Sequence, residues 1–431
     1  MGCLLRRWFF GYASSDLFPD RNKIRERSSY TISLADTQGV ENLNTQDAET
    51  SDRKSDPIAD YRSTLQLLKK YSYGTNVDAK KTRQLTYEAI RGMLASLQDP
   101  FTSFLDPDDW AQMQSTTKGD FEGIGALLQP SGHEVKIAEP IEGSPAEKVG
   151  LQSDDIVVKV DGESVVGKNI NEVVKRIKGK PGTKVKLGIL RRKEVLTFVI
   201  TRANVIPPVV KHEMIDKDRK IGYIFLKEFN ERSTEQLNTA FESLKKQGMK
   251  ALVFDLRGNP GGLLDTAIQV ASTFIPRNSK EELKNVVVFT REGSGQESRR
   301  TLRGDAYQLD GIPFVVLVNE GSASASEIVS GAIKDYGVGT IIGERTYGKG
   351  RVQSLFPLGD ASALRLTTAL YFPPSHNDIN FKHDEDGVRI PNTGGILPDI
   401  EVKQANNWKG FKDKANDKQL QSGIEFLRSK Q

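Results

Sequence analysis

The chain has 431 residues, room for about three domains at the usual ~150 residues each. Its 61 Lys and Arg nearly balance 57 Asp and Glu, leaving a net charge of +4, without the clustered basic stripe that marks a nucleic-acid binder. A single cysteine, Cys3, excludes a disulfide framework and Cys-based metal sites, and the four His form neither HExxH nor HxH. No metal or other cofactor is expected, and no apolar run nears the ~18–20 residues of a membrane-spanning helix.

Residues 1–56 read as a disordered leader. Residues 14–56 are rich in Asp, Glu, Arg, Ser, Thr and Asn, with aperiodic apolar residues, too few to offset chain entropy by burial. Ahead of them, Arg6-Arg7 followed by Trp8 to Ala13 resembles an export signal. Its apolar part is shorter than the ~7–15 residues such a signal needs, which makes it a vestigial targeting segment. Arg6 also stands where myristoylation of Gly2 would want Ser or Thr.

Residues 57–118 form an N-terminal helical region. Tyr61, Leu65, Leu67, Leu68 and Tyr71 recur at helical spacing, then Leu85, Ile90, Met93, Leu94 and Leu97 do so again. The two helices end near Asp99-Pro100, and the stretch from Asp99 to Pro107 is a turn-rich hinge.

Residues 119–204 read as short strands with two small helices. Ile124 to Leu128, Val135 to Ala138, Ile156 to Val160, Val185 to Leu190 and Val195 to Thr201 have strand character. Ser144 to Gly150 has Pro in its first turn and Gly at its stop, and Ile170, Val173, Val174 and Ile177 mark a second helix. Residues 205–402 then alternate strand and helix. The strands are Gly222 to Phe229, Ala251 to Leu256 and Pro313 to Val318. In such α/β arrangements sites gather at the C-terminal ends of strands, so chemistry is sought after Leu256 and after Val318. Residues 403–431 are a helical tail, its helix around Leu420 to Leu427.

After Val318 comes Asn319-Glu320-Gly321-Ser322-Ala323-Ser324-Ala325-Ser326-Glu327, leading into a helix whose apolar face runs from Ala325 to Tyr336 and stops at Gly337. Ser324 therefore sits where a strand turns sharply into a helix, beside free backbone N–H groups that suit an oxyanion. The same Ser324-x-x-Glu327 pattern is also a capping box, which needs no catalysis. A nucleophilic Ser needs a base, and no His lies in a matching local pattern. Further on, Gly343 to Lys349 imitates a phosphate loop, but Gly350 stands where Ser or Thr would hold Mg²⁺, and a strand follows instead of a helix. Nucleotide binding is not expected. Lys349, flanked by Gly348 and Gly350, reads either as an exposed turn lysine or as one that the close-passing glycine backbone buries. Desolvation lowers a lysine pKa, and a neutral amine accepts a proton from a Ser hydroxyl. Gln353, four residues on, is in reach to hold that amine.

These strings, Val318 to Ile328 with Thr346 to Gln353, resemble the carboxyl-terminal processing protease family. In that family the nucleophile is the middle Ser of Ser-Ala-Ser-Ala-Ser, the base Lys follows 25 residues later and the orienting Gln four after that, which falls on Ser324, Lys349 and Gln353. Asp99 to Leu105 resembles the family's entry motif, Asp255 to Gly262 its oxyanion loop and Gly394 to Ile400 its closing strand. The resemblance implies an oxyanion hole from the N–H of Ala325 and that of Gly261 or Gly262. The chain departs from the family at Leu370 to Asp378, and Asn377 to Arg389 reads as an altered loop.

The 119–204 module resembles a PDZ domain. Its Gly123-Ile124-Gly125-Ala126 stands at the carboxylate loop, where successive N–H groups hold a peptide's terminal carboxylate as the peptide adds a strand. The expected fold is multidomain α/β, with a crotonase/ClpP-like protease core at 205–402, a β-rich PDZ domain and N-terminal helices. Expected partners are protein or peptide substrates with free C-termini, no nucleic acid and no nucleotide, and a second copy of the chain met through the terminal helices. Members of the family usually work outside the cytoplasm, in the periplasm, cell envelope or thylakoid lumen, so the resemblance implies an extracytoplasmic location. A catalytically silent scaffold that captures tails is the competing reading, yet a scaffold has no use for a buried lysine.

Overall fold

The computed structural model describes residues 56–431 apart from 278, 310, 386–387, 409 and 411–412. The reading of residues 1–55 as a disordered leader with a targeting segment lies outside them. The described residues fall into two units, 56–78 and 79–431. In the first, α1 (Pro57–Tyr71) starts at Asp56, whose carboxylate accepts the Ile58 N–H at 3.0 Å, with Pro57 in the first turn.

The second unit opens with α2 (Ala79–Ala95), β1 (Ser103–Leu105) and α3 (Pro107–Lys118). The expected hinge thus holds a short strand and leads into a helix. Asp106 caps α3 by accepting the N–H groups of Asp108 and Asp109 at 3.1 and 3.0 Å, and Gly119 ends it in the left-handed region at φ 75°. None of its residues is buried, so it carries no apolar stripe for a periodicity search to find.

The next module contains β2 (Phe121–Gly123), β3 (Ala126–Ser131), β4 (Glu134–Pro140), α4 (Pro145–Lys148), β5 (Ile156–Val160), β6 (Glu163–Ser164), α5 (Ile170–Ile177), β7 (Lys184–Arg191), β8 (Glu194–Thr201) and β9 (Ala203–Val205). An antiparallel sheet runs β3-β4-β5-β7-β8, with β6 on β5. Its inward side chains, among them Ile137, Leu187, Ile189 and Ile200, pack with Val173 and Ile177 of α5 into a separate core. β2 pairs with β9, Phe121 opposite Val205, and closes the module at its two ends.

The largest layer is built from β10 (Val210–Asp216), β11 (Ile221–Leu226), α6 (Ser233–Lys246), β12 (Ala251–Asp255), α7 (Leu264–Phe274), β13 (Val286–Glu292), β14 (Glu297–Thr301), β15 (Phe314–Val318), α8 (Ala325–Tyr336), β16 (Thr340–Gly343), β17 (Arg351–Pro357), β18 (Ala363–Phe372), β19 (Ile400–Glu401) and α9 (Lys418–Lys430). One sheet has the order β10-β11-β12-β15-β16-β19, parallel except for β10. Its central strands are apolar without alternation because both faces are covered. Ile224, Leu252, Phe254 and Val316 face the core shared with α6, α7 and α8. Ile221, Val253, Val315 and Leu317 face Leu420 and Leu427 of α9. The apolar side that makes α9 look like a dimer arm in sequence is spent inside the chain, where each buried Leu stabilises by roughly 1.5–3 kcal/mol. A second, antiparallel sheet runs β1-β18-β13-β14, with β17 on β18. Among the described residues no helix is long and apolar enough to cross a membrane.

Candidate active site

Parallel strands end on one side of their sheet, so β12 and β15 deliver the loop 256–262 and the turn 319–324 side by side. The serines of the turn divide their work. Ser322 Oγ donates to the Leu256 carbonyl at 2.8 Å and Ser326 Oγ to the Asn259 carbonyl at 2.9 Å, both fully buried. These outer hydroxyls tie the turn to the loop. The middle one, on half-buried Ser324, makes no cap hydrogen bond, although Ser324 and Glu327 stand in capping-box register.

Ser324 has φ 54° and ψ −114°, a conformation that costs a non-glycine residue roughly 1–3 kcal/mol. Its backbone bonds help hold it there, the carbonyl accepting the Glu327 and Ile328 N–H groups at 2.8 and 3.0 Å. Its N–H donates to Glu327 Oε2 at 2.8 Å, and its carbonyl also accepts the hydroxyl of buried Tyr371 at 3.0 Å. Gly261 packs against this elbow. A Cβ at Gly261 would lie 2.7 Å from Ser324 Cβ, and φ there is 101°, so only glycine fits.

Glu327 also reaches the lysine loop. Its Oε2 accepts the Lys349 N–H at 2.9 Å, and its Oε1 accepts the Gly348 N–H and the Thr346 hydroxyl, both at 2.6 Å. One oxygen therefore bridges the backbones of Ser324 and Lys349. Burial pushes the Glu327 carboxyl above its ordinary range, and the four donors offset only part of that rise. The sequence read Glu327 only as a cap; the same Ser-x-x-Glu signal cannot show the second set of partners. Glu327→Gln should fail despite its shape, because whichever way the amide turns, its NH₂ faces donors. It is expected to cost at least about 2 kcal/mol of unfolding free energy and more than about tenfold in kcat/KM, read by urea denaturation and steady-state kinetics.

Lys349 is half-buried between its two glycines. A Cβ at Gly348, where φ is 90°, would come within 3.1 Å of the Ile379 carbonyl and the Phe381 nitrogen. The close approach expected of these glycines is thus made by the altered loop 377–389 itself. Burial first, then the nearby Arg365 cation, push the Lys349 amine down to about 8; Glu327 and Asp99 oppose the shift. The amine lies 4.7 Å from the centre of the Phe101 ring. Gln353 is on β17 beside this loop, but its Nε2 donates to the Arg351 carbonyl at 3.3 Å, and among the described residues no hydrogen bond joins it to Lys349.

The two glycines of the loop 256–262 differ. Buried Gly261 spends its N–H on Asn259 Oδ1 at 2.9 Å. Gly262 is exposed and bridges to Phe229 in parallel register. Ala325 opens α8, so its N–H is one of the donors a helix leaves unpaired. Beneath the loop, fully buried Arg257 joins Asp255 (2.6 Å) and Asp417 (2.7 Å), and Tyr223 donates to Asp255 at 2.8 Å. Sequence reasoning missed this cluster. Its signal was the pair of opposite charges at the end of an all-apolar strand.

In the smaller module, the Ile124 carbonyl accepts the Ala146 N–H at 2.8 Å, and the Gly125 carbonyl accepts the Ile141 N–H and Ser144 Oγ, both at 2.8 Å. Because a trans peptide sets C=O and N–H on opposite sides, the N–H groups of Gly125 and Ala126 point away from these partners. Gly123 ends β2 and Ala126 starts β3.

Residues 220–402 match the sequence profile of peptidase family S41, and residues 136–191 match that of the PDZ domain. The probable CtpA-like serine protease of Staphylococcus epidermidis is 34% identical over 385 residues, 88% of this chain and 75% of that protein. The carboxy-terminal processing protease CtpA of Bacillus subtilis is 36% identical over 373 residues, 86% of this chain and 75% of its own. The carboxyl-terminal-processing protease of Synechocystis sp. is 36% identical over 330 residues, 75% of this chain and 72% of its own.

Proposed function

This chain belongs to peptidase family S41 and is a carboxyl-terminal processing serine protease with a PDZ domain, and from that premise we propose that Ser324, Lys349 and Gln353 are its catalytic centre. The observation that carries the reading is the single Glu327 oxygen that accepts both the Ser324 and the Lys349 N–H. The neutral Lys349 amine takes the Ser324 hydroxyl proton as Oγ attacks the scissile carbonyl carbon. The resulting ammonium then returns that proton to the leaving amine, and water releases the acyl group by the same route. The N–H groups of Ala325 and Gly262 receive the oxyanion; the Asn259 bond to Gly261 supports Gly262 over its neighbour. Gln353 is assigned its orienting role on its place four residues after Lys349 in the family's motif.

Residues 119–204 are the PDZ domain of this reading, and 205–402 the protease core. A substrate's terminal carboxylate binds along Gly123, Ile124, Gly125 and Ala126, and its last residues add as a strand beside β3. Support comes from the inward-tied carbonyls of Ile124 and Gly125. A fluorophosphonate probe should label Ser324, as located by peptide mass spectrometry. Amidating the C-terminus of a peptide substrate should lower kcat/KM by about tenfold or more, and chelators and thiol blockers should leave cleavage intact. Labelling at another residue would remove Ser324 from the centre. Equal cleavage of amidated and free-acid peptides would remove tail recognition.

A further inference from the structure

Among the described residues the Lys349 amine makes no hydrogen bond or ion pair; what it meets is the face of Phe101, at 4.7 Å. Phe101 is held rigidly for a hinge residue. Its N–H donates to Asp99 Oδ1 at 3.2 Å, Thr102 Oγ1 donates to Asp99 Oδ2 at 2.7 Å, and Arg351 on β17 pairs with the same carboxylate at 3.3 Å. Thr102 Oγ1 in turn accepts the Thr367 N–H at 3.2 Å, and β1 pairs with β18, Ser103 opposite Arg365. The ring also meets Phe381 edge-on at 6.4 Å, and the Arg351 guanidinium lies 5.8 Å from its centre.

We propose that Phe101 is a positioning residue for the catalytic amine: its ring face seats Lys349 Nζ, so the hinge between α2 and α3 forms part of the active site. The inference rests on the Ser–Lys reading above. A ring in this place has two opposed effects. Its bulk keeps water out and favours the neutral amine, while its negative face favours the ammonium. The other charges that face the amine are Arg365 from β18, Glu327 from α8 and Asp99 from the hinge. A ring that only filled space would exert the first effect alone.

Substitution separates the two. Phe101→Leu keeps the bulk and loses the face, so the amine should lose its proton about half a pH unit lower. Phe101→Ala admits water and should move the midpoint the opposite way, whereas Phe101→Tyr keeps the face and should leave it unmoved. The readout is independent of turnover: trace acetylation of Lys349 in the full-length Ser324→Ala protein, followed against pH by peptide mass spectrometry. If the Leu variant does not fold, Phe101→Met carries the same expectation. An unmoved midpoint in Phe101→Leu, or shifts of the same sign in the Leu and Ala variants, overturns the proposal. If Lys349→Ala cleaves as well as the parent, the Ser–Lys reading itself has failed. If Lys349 is essential and Phe101→Leu changes nothing, this inference alone falls.

Discussion

Lys349→Ala is expected to lower kcat/KM for a tailed protein substrate by roughly a hundred- to ten-thousandfold, the range supplied by a positioned general base. The far-ultraviolet circular dichroism should not change. The alanine side chain removes no buried hydrogen bond, because the bonds that hold the loop run through the Lys349 N–H and Glu327. Lys349→Arg sharpens the point. It preserves the positive charge but presents a group that stays protonated at any working pH, so it should be as inactive as the alanine variant. If charge alone mattered, the arginine variant would cleave. Substantial activity in either would remove Lys349 as the base.

Arg257→Met is expected to destabilise the protein by about 3–5 kcal/mol, because it leaves Asp255 and Asp417 buried without their cation. The geometry of the cluster accounts for this cost. Arg257 donates to Asp255 at 2.6 Å and to Asp417 at 2.7 Å with no exposed surface, and Gln404 adds a bond to Asp417 at 2.9 Å. Asp417 also caps α9 through the Leu420 N–H at 3.0 Å. Losing the cluster therefore loosens the helix that covers one face of the sheet as well as the loop that leads to Gly262. Asp417→Asn turns an NH₂ on an Arg257 donor, but it keeps the cap and leaves Arg257 paired with Asp255, so it should cost less than Arg257→Met. Urea unfolding followed by fluorescence measures both. Equal stabilities of Arg257→Met and the parent would mean that the ions do not hold the tail to the core.

Local chemistry made much of this legible in sequence. The Ser324 elbow could be read because a β-strand, a Ser-rich turn and a 3.6-periodic helix follow one another without a break from Phe314 to Tyr336. Lys349 could be read because two glycines frame it, and the resemblance fixed its spacing from Ser324. What stayed hidden depends on distance along the chain or on missing apolar pattern. Arg257 and Asp417 are 160 positions apart, so no local signal joins them. The β13–β14 hairpin ends in Glu297–Thr301, which is polar and Arg-rich and lacks the alternation of a half-buried strand. Gln353 shows the reverse case. Its spacing suggests a hydrogen bond to Lys349, but a register shift between Val352 and Gln353 breaks the ladder there, and its amide turns to the Arg351 carbonyl instead.

The most direct test is a heteronuclear NMR titration of the Lys349 side chain in the Ser324→Ala protein, assigned by the signal lost in Lys349→Arg. An amine charged at low pH and neutral above a midpoint of about 8 is the predicted result, and it places the active form of the base within reach of mildly alkaline conditions. A midpoint near 10.4, the ordinary lysine value, would mean that the amine is a solvated cation, and it would contradict the account of Lys349 as the base for Ser324.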